Sequence, residues 1–293
     1  MKLVILFLVS FFTFQSYGQF DPSKEWFTSH DFFDSSVIKE NQVRTISIFT
    51  SNKKDEAIFS SEVKLAEYSF SKEGKLLRSE NYVALSNRMD TASFKFEYSG
   101  DKVYKRTENQ GPFSFSYSYI WLNDSCYQET KLDNKTKDTN YIHSTKVIQT
   151  GRKKKLTHFN SIGRPMKKEW ETQNLFGKIV YKRMSYVRSL SFIEEVLDYQ
   201  ATQIVTRSIW NTIGKQKKTN WEFTYKEGYL DFITIKENDS VILKYGLLYN
   251  NQNMLKALVK RDVVNKSVRV YKIKYRSFRL KNDGDIECCK LLH

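Results

Sequence analysis

The chain has 293 residues, a formal charge of +15 and 15% aromatic residues, with 3 Cys, 3 Pro and 11 Gly. An odd cysteine count does not match a disulfide framework, and a chain of this length buries a core without such staples. The aromatic and β-branched excess, with so little Pro and Gly, is the composition of pleated, half-buried sheet.

Residues 1–18, MKLVILFLVSFFTFQSYG, read as a secretory signal peptide: Lys2, an apolar stretch from Leu3 to Phe14, then small residues before a cut after Gly18. The apolar run is shorter than the ~20 residues of a spanning helix, so no transmembrane segment is expected after cleavage. The expected location is therefore exported: periplasmic, cell-surface or extracellular. Outside the cytoplasm the excess of Lys and Arg points to acidic glycans, lipid headgroups or wall polymers, and nucleic acid is not expected as a partner.

A leader follows over residues 19–41, with Trp26, Phe27, Phe32 and Phe33 in EWFTSHDFFDSS. These rings read as a plug over an open end of the sheet, with a docking peptide as the alternative. From residue 42 to 293 one β-rich, repeat-like domain is expected. Phe94, Phe96 and Tyr98 alternate with charged residues, as do Tyr271, Ile273 and Tyr275, which is the period of a strand with one apolar face. Ser191–Gln200 (SFIEEVLDYQ) is the best helical stretch, yet its neighbours favour strand. In PFSFSYSYIW, Phe113, Phe115, Tyr117, Tyr119 and Trp121 share one face, predicted to pack inward, and Ser114, Ser116 and Ser118 mark the solvent side. Lys272, Lys274 and Arg276 are read as charges that blunt a sheet edge. The predicted fold is all-β: an antiparallel sheet of successive hairpins, curled, solenoid-like or sandwich-like.

Turns punctuate the strands, and one recurs. FNSIGRPMKKEW at Phe159 and WNTIGKQKKTNW at Trp210 align, with weaker copies FSKEGKLLRSENY at Phe70 and YNNQNMLKALV at Tyr249. An aromatic ends one strand, Gly or Asn turns the chain, and a basic run starts the next. The pattern resembles the YD (RHS-type) β-hairpin repeats of secreted bacterial proteins, on Phe159-Asn160, Ile162-Gly163-Arg164 and Trp210-Asn211, Ile213-Gly214-Lys215. The resemblance implies an extended sheet of hairpins.

Chemistry is sparse. His30, His143, His158 and His293 have no partner at metal-ligand spacing, and there is no Gly-x-Ser-x-Gly elbow or Gly-rich phosphate loop. No catalytic residue, metal or cofactor is expected. A disulfide of Cys126 with Cys288 or Cys289 is sterically open, since adjacent cysteines rarely pair. Arg152-Lys153-Lys154-Lys155 reads as a solvated hairpin tip or strand edge, and Trp170, Trp210 and Trp221 as covers for hairpin ends. The expected function is a non-catalytic, envelope-associated structural or protein-interaction protein. The alternative is a module binding glycan or another envelope polymer where rings adjoin bases, at Tyr117, Tyr119, Trp121, Arg152, Trp170 and Trp210.

Overall fold

The computed structural model describes residues 20, 32–85, 88–123 and 125–278. A short helix, α1 (Ser35–Glu40), precedes eighteen strands. They are β1 (Val43–Lys54), β2 (Val63–Phe70), β3 (Leu76–Leu85), β4 (Arg88–Ser99), β5 (Lys102–Gln110), β6 (Phe113–Asn123), β7 (Cys126–Asp133), β8 (Thr139–Thr150) and β9 (Lys153–Phe159). The second half holds β10 (Pro165–Gln173), β11 (Ile179–Tyr186), β12 (Phe192–Gln200), β13 (Gln203–Asn211), β14 (Lys217–Lys226), β15 (Tyr229–Glu237), β16 (Ser240–Tyr249), β17 (Leu255–Asp262) and β18 (Ser267–Ser277). Each strand pairs antiparallel with the one before it. β1 also pairs with β18 from Lys54↔Ser267 to Val43↔Ser277, so the meander closes into a barrel. Closure leaves no edge.

Two faces run unbroken around the ring. One passes from Ile46 and Ile48 through Tyr68, Ser79, Phe96, Arg106, Tyr117, Glu129, His143 and His158. It continues through Glu169, Met184, Leu197, Arg207, Trp221, Ile233, Leu247, Leu258 and Tyr271 back to β1. Ile46, Ile48, Ala66, Tyr68, Leu197 and Leu258 on this face are almost wholly buried although the described residues supply no second sheet. It is therefore the inside, and each such Ile or Leu contributes about 1.5–3 kcal/mol. The outside carries Arg78, Lys95, Glu97, Lys105, Arg183, Glu194, Lys244, Lys272 and Lys274.

The closed ring overturns the resemblance to YD-type repeats and the solenoid or sandwich arrangement. Ring closure depends on which strand meets β1, some two hundred residues away in sequence, and no local turn motif encodes that. Lys272, Lys274 and Arg276 do not guard an edge either, because β18 is paired on both sides. Strand assignment of Ser191–Gln200 agrees with β12.

The recurring turn is real but local. Asn160 N–H bonds to the Arg164 carbonyl, and Asn160 Oδ1 accepts from Ile162 N (3.2 Å) and Arg164 N (2.9 Å). Asn174 and Asn250 repeat the pattern, and Ser71 makes it with a hydroxyl. The fourth position needs the left-handed region: Gly163 has φ +75° and Asn253 φ +60°. A second recurring device is a half-buried tyrosine that donates to the first or second carbonyl of the preceding strand. Tyr98 bonds Leu76 O, Tyr249 bonds Leu230 O and Tyr275 bonds Leu255 O, at 2.9, 2.9 and 2.6 Å.

The two ends of the barrel differ. At the end where β1 starts, Asp34 caps α1 by accepting from Ser36 N and Val37 N. Phe32 and Phe33 pack edge-on against Tyr68, and Phe33 against Phe70, while Ile38 is buried below them. Trp26, Phe27 and residues 1–18, read above as a signal peptide, lie outside the described residues. At the far end, exposed apolar side chains stand in turn after turn: Ile58 and Phe59, Phe113, Ile162, Val187 and Leu190, Ile213, Val263 and Val264. At the α1 end the described residues show such side chains at fewer connections, with Leu77, Leu122, Leu175 and Phe176, and Leu248.

Gly74 joins the β2–β3 turn to α1. At φ +83°, a Cβ there would sit 2.2 Å from the Ser35 carbonyl oxygen, whereas one on Gly163 would meet open space. Gly163→Ala should cost about 1–2 kcal/mol from the backbone alone. Gly74→Ala should cost clearly more in thermal denaturation, because the helix must also move; equal losses would contradict this packing.

Candidate functional site

The predicted site residues separate into two groups on opposite sides of the wall. Tyr117, Tyr119 and Trp121 face the interior on β6. Arg152 lies exposed in the β8–β9 turn, and Trp170 and Trp210 point outward from β10 and β13. Trp170 stands in mid-strand, Trp210 one residue from the end of β13, and Trp221 faces inward from mid-β14, so only Trp210 sits at a hairpin end.

The two outward tryptophans lie on one rung. Direct cross-strand pairs run Ile148↔Lys155↔Trp170↔Arg183↔Glu194↔Trp210↔Lys218. Trp170 is thus flanked by a cation on each side, and Trp210 lies three strands on, about 14 Å away. A shallow groove of about 610 Å³ opens over this rung, lined by Ile148, Lys153, Lys155, Trp170, Thr172, Tyr181 and Arg183, with Lys154 and Glu171, 3.7 Å apart, also on its wall. Arg152 borders it at the α1 end, its carbonyl accepting from Gln173 N at 2.9 Å. Arg183 lies 3.5 Å from Glu194 and over the Phe192 ring, and Tyr181 donates to Glu194 at 3.0 Å. Lys153 and Lys155 face no carboxylate within 4.0 Å among the described residues. The groove therefore offers an aromatic plate, a row of hydroxyls and uncompensated positive charge.

The inward aromatic ladder is only partly buried. Tyr117 is 9% exposed, Phe113 at the far end 60% and Trp121 at the α1 end 37%. Cations sit on the rings: Arg106 over Tyr117 at 4.0 Å, Lys131 over Phe115 at 3.8 Å, and Lys102 over Trp121 at 4.0 Å. Burial pushes the Tyr119 hydroxyl up to about 12. The serines point outward as predicted, yet Ser116 is nearly buried, donating to Asn134 Oδ1 at 2.8 Å, because the β7–β8 turn folds over it.

Beside the ladder the barrel wall holds a polar cluster that residue spacing did not reveal. Glu129 and His143 are paired directly and lie 3.6 Å apart. Thr145 Oγ1 lies 3.0 Å from His158 Nδ1, and His158 Nε2 lies 3.0 Å from Glu169, close but poorly aligned for a hydrogen bond. Lys167 completes the group at 2.6 Å from Glu169. Burial raises Glu129 and lowers His143, whose neighbours His158 and Lys167 add to the effect. The His158 ring and then the Lys167 ammonium hold Glu169 down at about 2. Thr145, His158 and Glu169 have the order of a nucleophile relay, but Thr145 is fully buried, so its hydroxyl meets no substrate. Among the described residues no cluster of His, Cys, Asp and Glu could hold a metal. A signal did exist for this cluster: folding the sequence at Gly151-Arg152 sets Thr145 opposite His158. Cys126 is a free thiol, and Cys288 and Cys289 lie outside the described residues.

No family model matches the chain. No curated protein matches it either. Among solved structures, a porin-like protein from Bacteroides uniformis aligns at 9% identity and TM-score 0.41, covering 80% of this chain and 97% of its own. Another porin-like protein, from Bacteroides vulgatus, aligns at 8% identity and TM-score 0.30, covering 78% and 97%. A LolA superfamily protein from Nitrosomonas europaea aligns at 7% and 0.19, covering 83% and 92%. At these values the likeness carries neither fold nor function, and the barrel rests on its own register.

The Glu169 carboxyl, held near 2 in the fold against 4.5 without it, adds stability above pH 4.5 that is lost as pH falls toward 2. Glu169→Gln should therefore lower stability at neutral pH by on the order of 2 kcal/mol, allowing for partial solvent screening. The gap to the unsubstituted protein should close between pH 4.5 and 2. A gap constant with pH in denaturant titrations would contradict the assignment.

Proposed function

We propose that the chain is an exported, non-catalytic barrel of the cell envelope that binds an anionic saccharide or related envelope polymer in the outer groove. The observation that carries this reading is Trp170 set between Lys155 and Arg183 on one rung of that groove. A flat ring takes the face of a sugar, while the flanking cations and neighbouring Lys153 favour an acidic one. Thr172, Tyr181 and Ser185 add polar groups along the same wall.

Water, in this reading, surrounds the barrel on its outer side. Lys95, Lys105, Arg183, Lys244, Lys272 and Lys274 point outward from strands all around the ring. Each would cost about 2–4 kcal/mol at the middle of a bilayer. The apolar residues go inward instead, opposite to the arrangement of a lipid-embedded barrel. No helix among the described residues is long and apolar enough to cross a membrane.

The protein beginning at residue 19 should bind a uronic-acid polymer saturably and a neutral glucan weakly, with affinity falling as salt rises. Trp170→Ala or Lys155→Glu should weaken binding about tenfold or more, equal to ~1.4 kcal/mol. Calorimetric titration reads both. Silence across acidic polysaccharides, or unchanged affinity in Trp170→Ala, would overturn the proposal.

A further inference from the structure

We infer that the far end of the barrel is a docking rim for an anionic lipid surface. Single exposed apolar residues on a soluble protein need no explanation, but their concentration at one end does. Three neighbouring connections make the device clearest. The β9–β10 turn presents Ile162 beside Arg164, the β11–β12 turn presents Leu190 beside Arg188, and the β13–β14 turn presents Ile213 beside Lys215. Leu190 is 100% exposed and Ile162 69%.

All three cations are exposed, and none has a carboxylate within 4.0 Å among the described residues. Other charges, some on the same rim, are neutralised in pairs, such as Lys75 with Asp101 at 2.9 Å at the α1 end and Lys217 with Glu237 at 2.8 Å at the far end. These three turns thus pair unneutralised positive charge with apolar tips at the ends of rigid hairpins. That is the requirement for an interfacial anchor: side chains that enter the headgroup boundary and bases that meet lipid phosphates. A protein partner would be met as well by apolar tips alone, and the repeated base beside each tip favours lipid. The outer groove lies along the barrel side on β8–β11, so a docked rim would leave it open.

The test is co-sedimentation of the protein beginning at residue 19 with phosphatidylcholine vesicles, with and without phosphatidylglycerol. Strong binding is expected only with the anionic lipid. The triple substitution Arg164→Gln, Arg188→Gln and Lys215→Gln should weaken it roughly a hundredfold. Ile162→Ser with Leu190→Ser should also weaken it, while Leu175→Ser with Phe176→Ser at the opposite end should not. All are surface changes, so the thermal midpoint should stay constant and confirm folding. Absence of vesicle binding would overturn the inference, as would equal loss from the α1-end pair. So would concentration-dependent self-association lost in Leu190→Ser without vesicle binding, which would mark a protein contact. Trp170→Ala should leave vesicle binding intact, which separates this surface from the saccharide groove.

Discussion

Pairing of the first strand with the last is the constraint on which the other features depend. Once β1 accepts β18 on one side and β2 on the other, every strand has two neighbours and the sheet acquires an inside. The alternation of side chains must then agree all the way around, since a slip of one residue at any pair would turn the apolar face outward. It does agree: the face that leaves Ile46 through Tyr68 returns to β1 through Tyr271 and Ile273. Bulges absorb the irregularities, as between Thr224 and Tyr225 or Leu248 and Tyr249, near the rim where tyrosines close the sheet.

The interior is divided. From β13 through β18 to β2 it is lined by Ile, Leu, Phe and Tyr, sealed at one end by Phe32, Phe33 and α1. From β5 to β12 it is polar: Glu129 lies against His143 and Glu169 against His158 across strands, Lys167 reaches Glu169 along β10, and Glu195 meets Arg207 at 2.6 Å. Buried charges of this kind persist only when satisfied by partners, and here the partners come from register. The outside mirrors this economy, with ion pairs across neighbouring strands and one stretch, around Trp170, where rings and bases stand together without full neutralisation.

Much of this was legible in the residues, for reasons that differ by element. Period-two alternation at Phe94–Tyr98 and Tyr271–Tyr275 marked strands because each strand has one wet and one dry face. The Asn-x-x-Gly turns were visible because the left-handed position restricts residue choice. Closure was not legible, since it depends on a pairing between residues near 48 and near 273 that no local pattern announces. The YD-like resemblance arose from the same gap: a shared turn was read as a shared architecture. The histidines looked isolated because 143 and 158 are distant in sequence, although a two-residue turn at Gly151-Arg152 brings their strands together. Trp170 and Trp210 were singled out by residue type, but their placement on one rung with Lys155 and Arg183 follows only from the register.

Ring closure can be tested directly at Ser47 and Lys274, outward-facing partners on β1 and β18. Direct antiparallel partners have Cα atoms about 4.5–5.5 Å apart, within the ~4.4–6.8 Å that a disulfide spans. In a protein with Cys126, Cys288 and Cys289 replaced by serine, Ser47→Cys with Lys274→Cys should form an intramolecular bond under mild oxidation, seen as the loss of two hydrogens by mass. Ser47→Cys with Lys95→Cys, on strands β1 and β4 that are not neighbours, should stay reduced. If the Ser47–Lys274 pair stayed reduced, or joined two chains instead, the sheet would be open and the inside–outside assignment would fail with it.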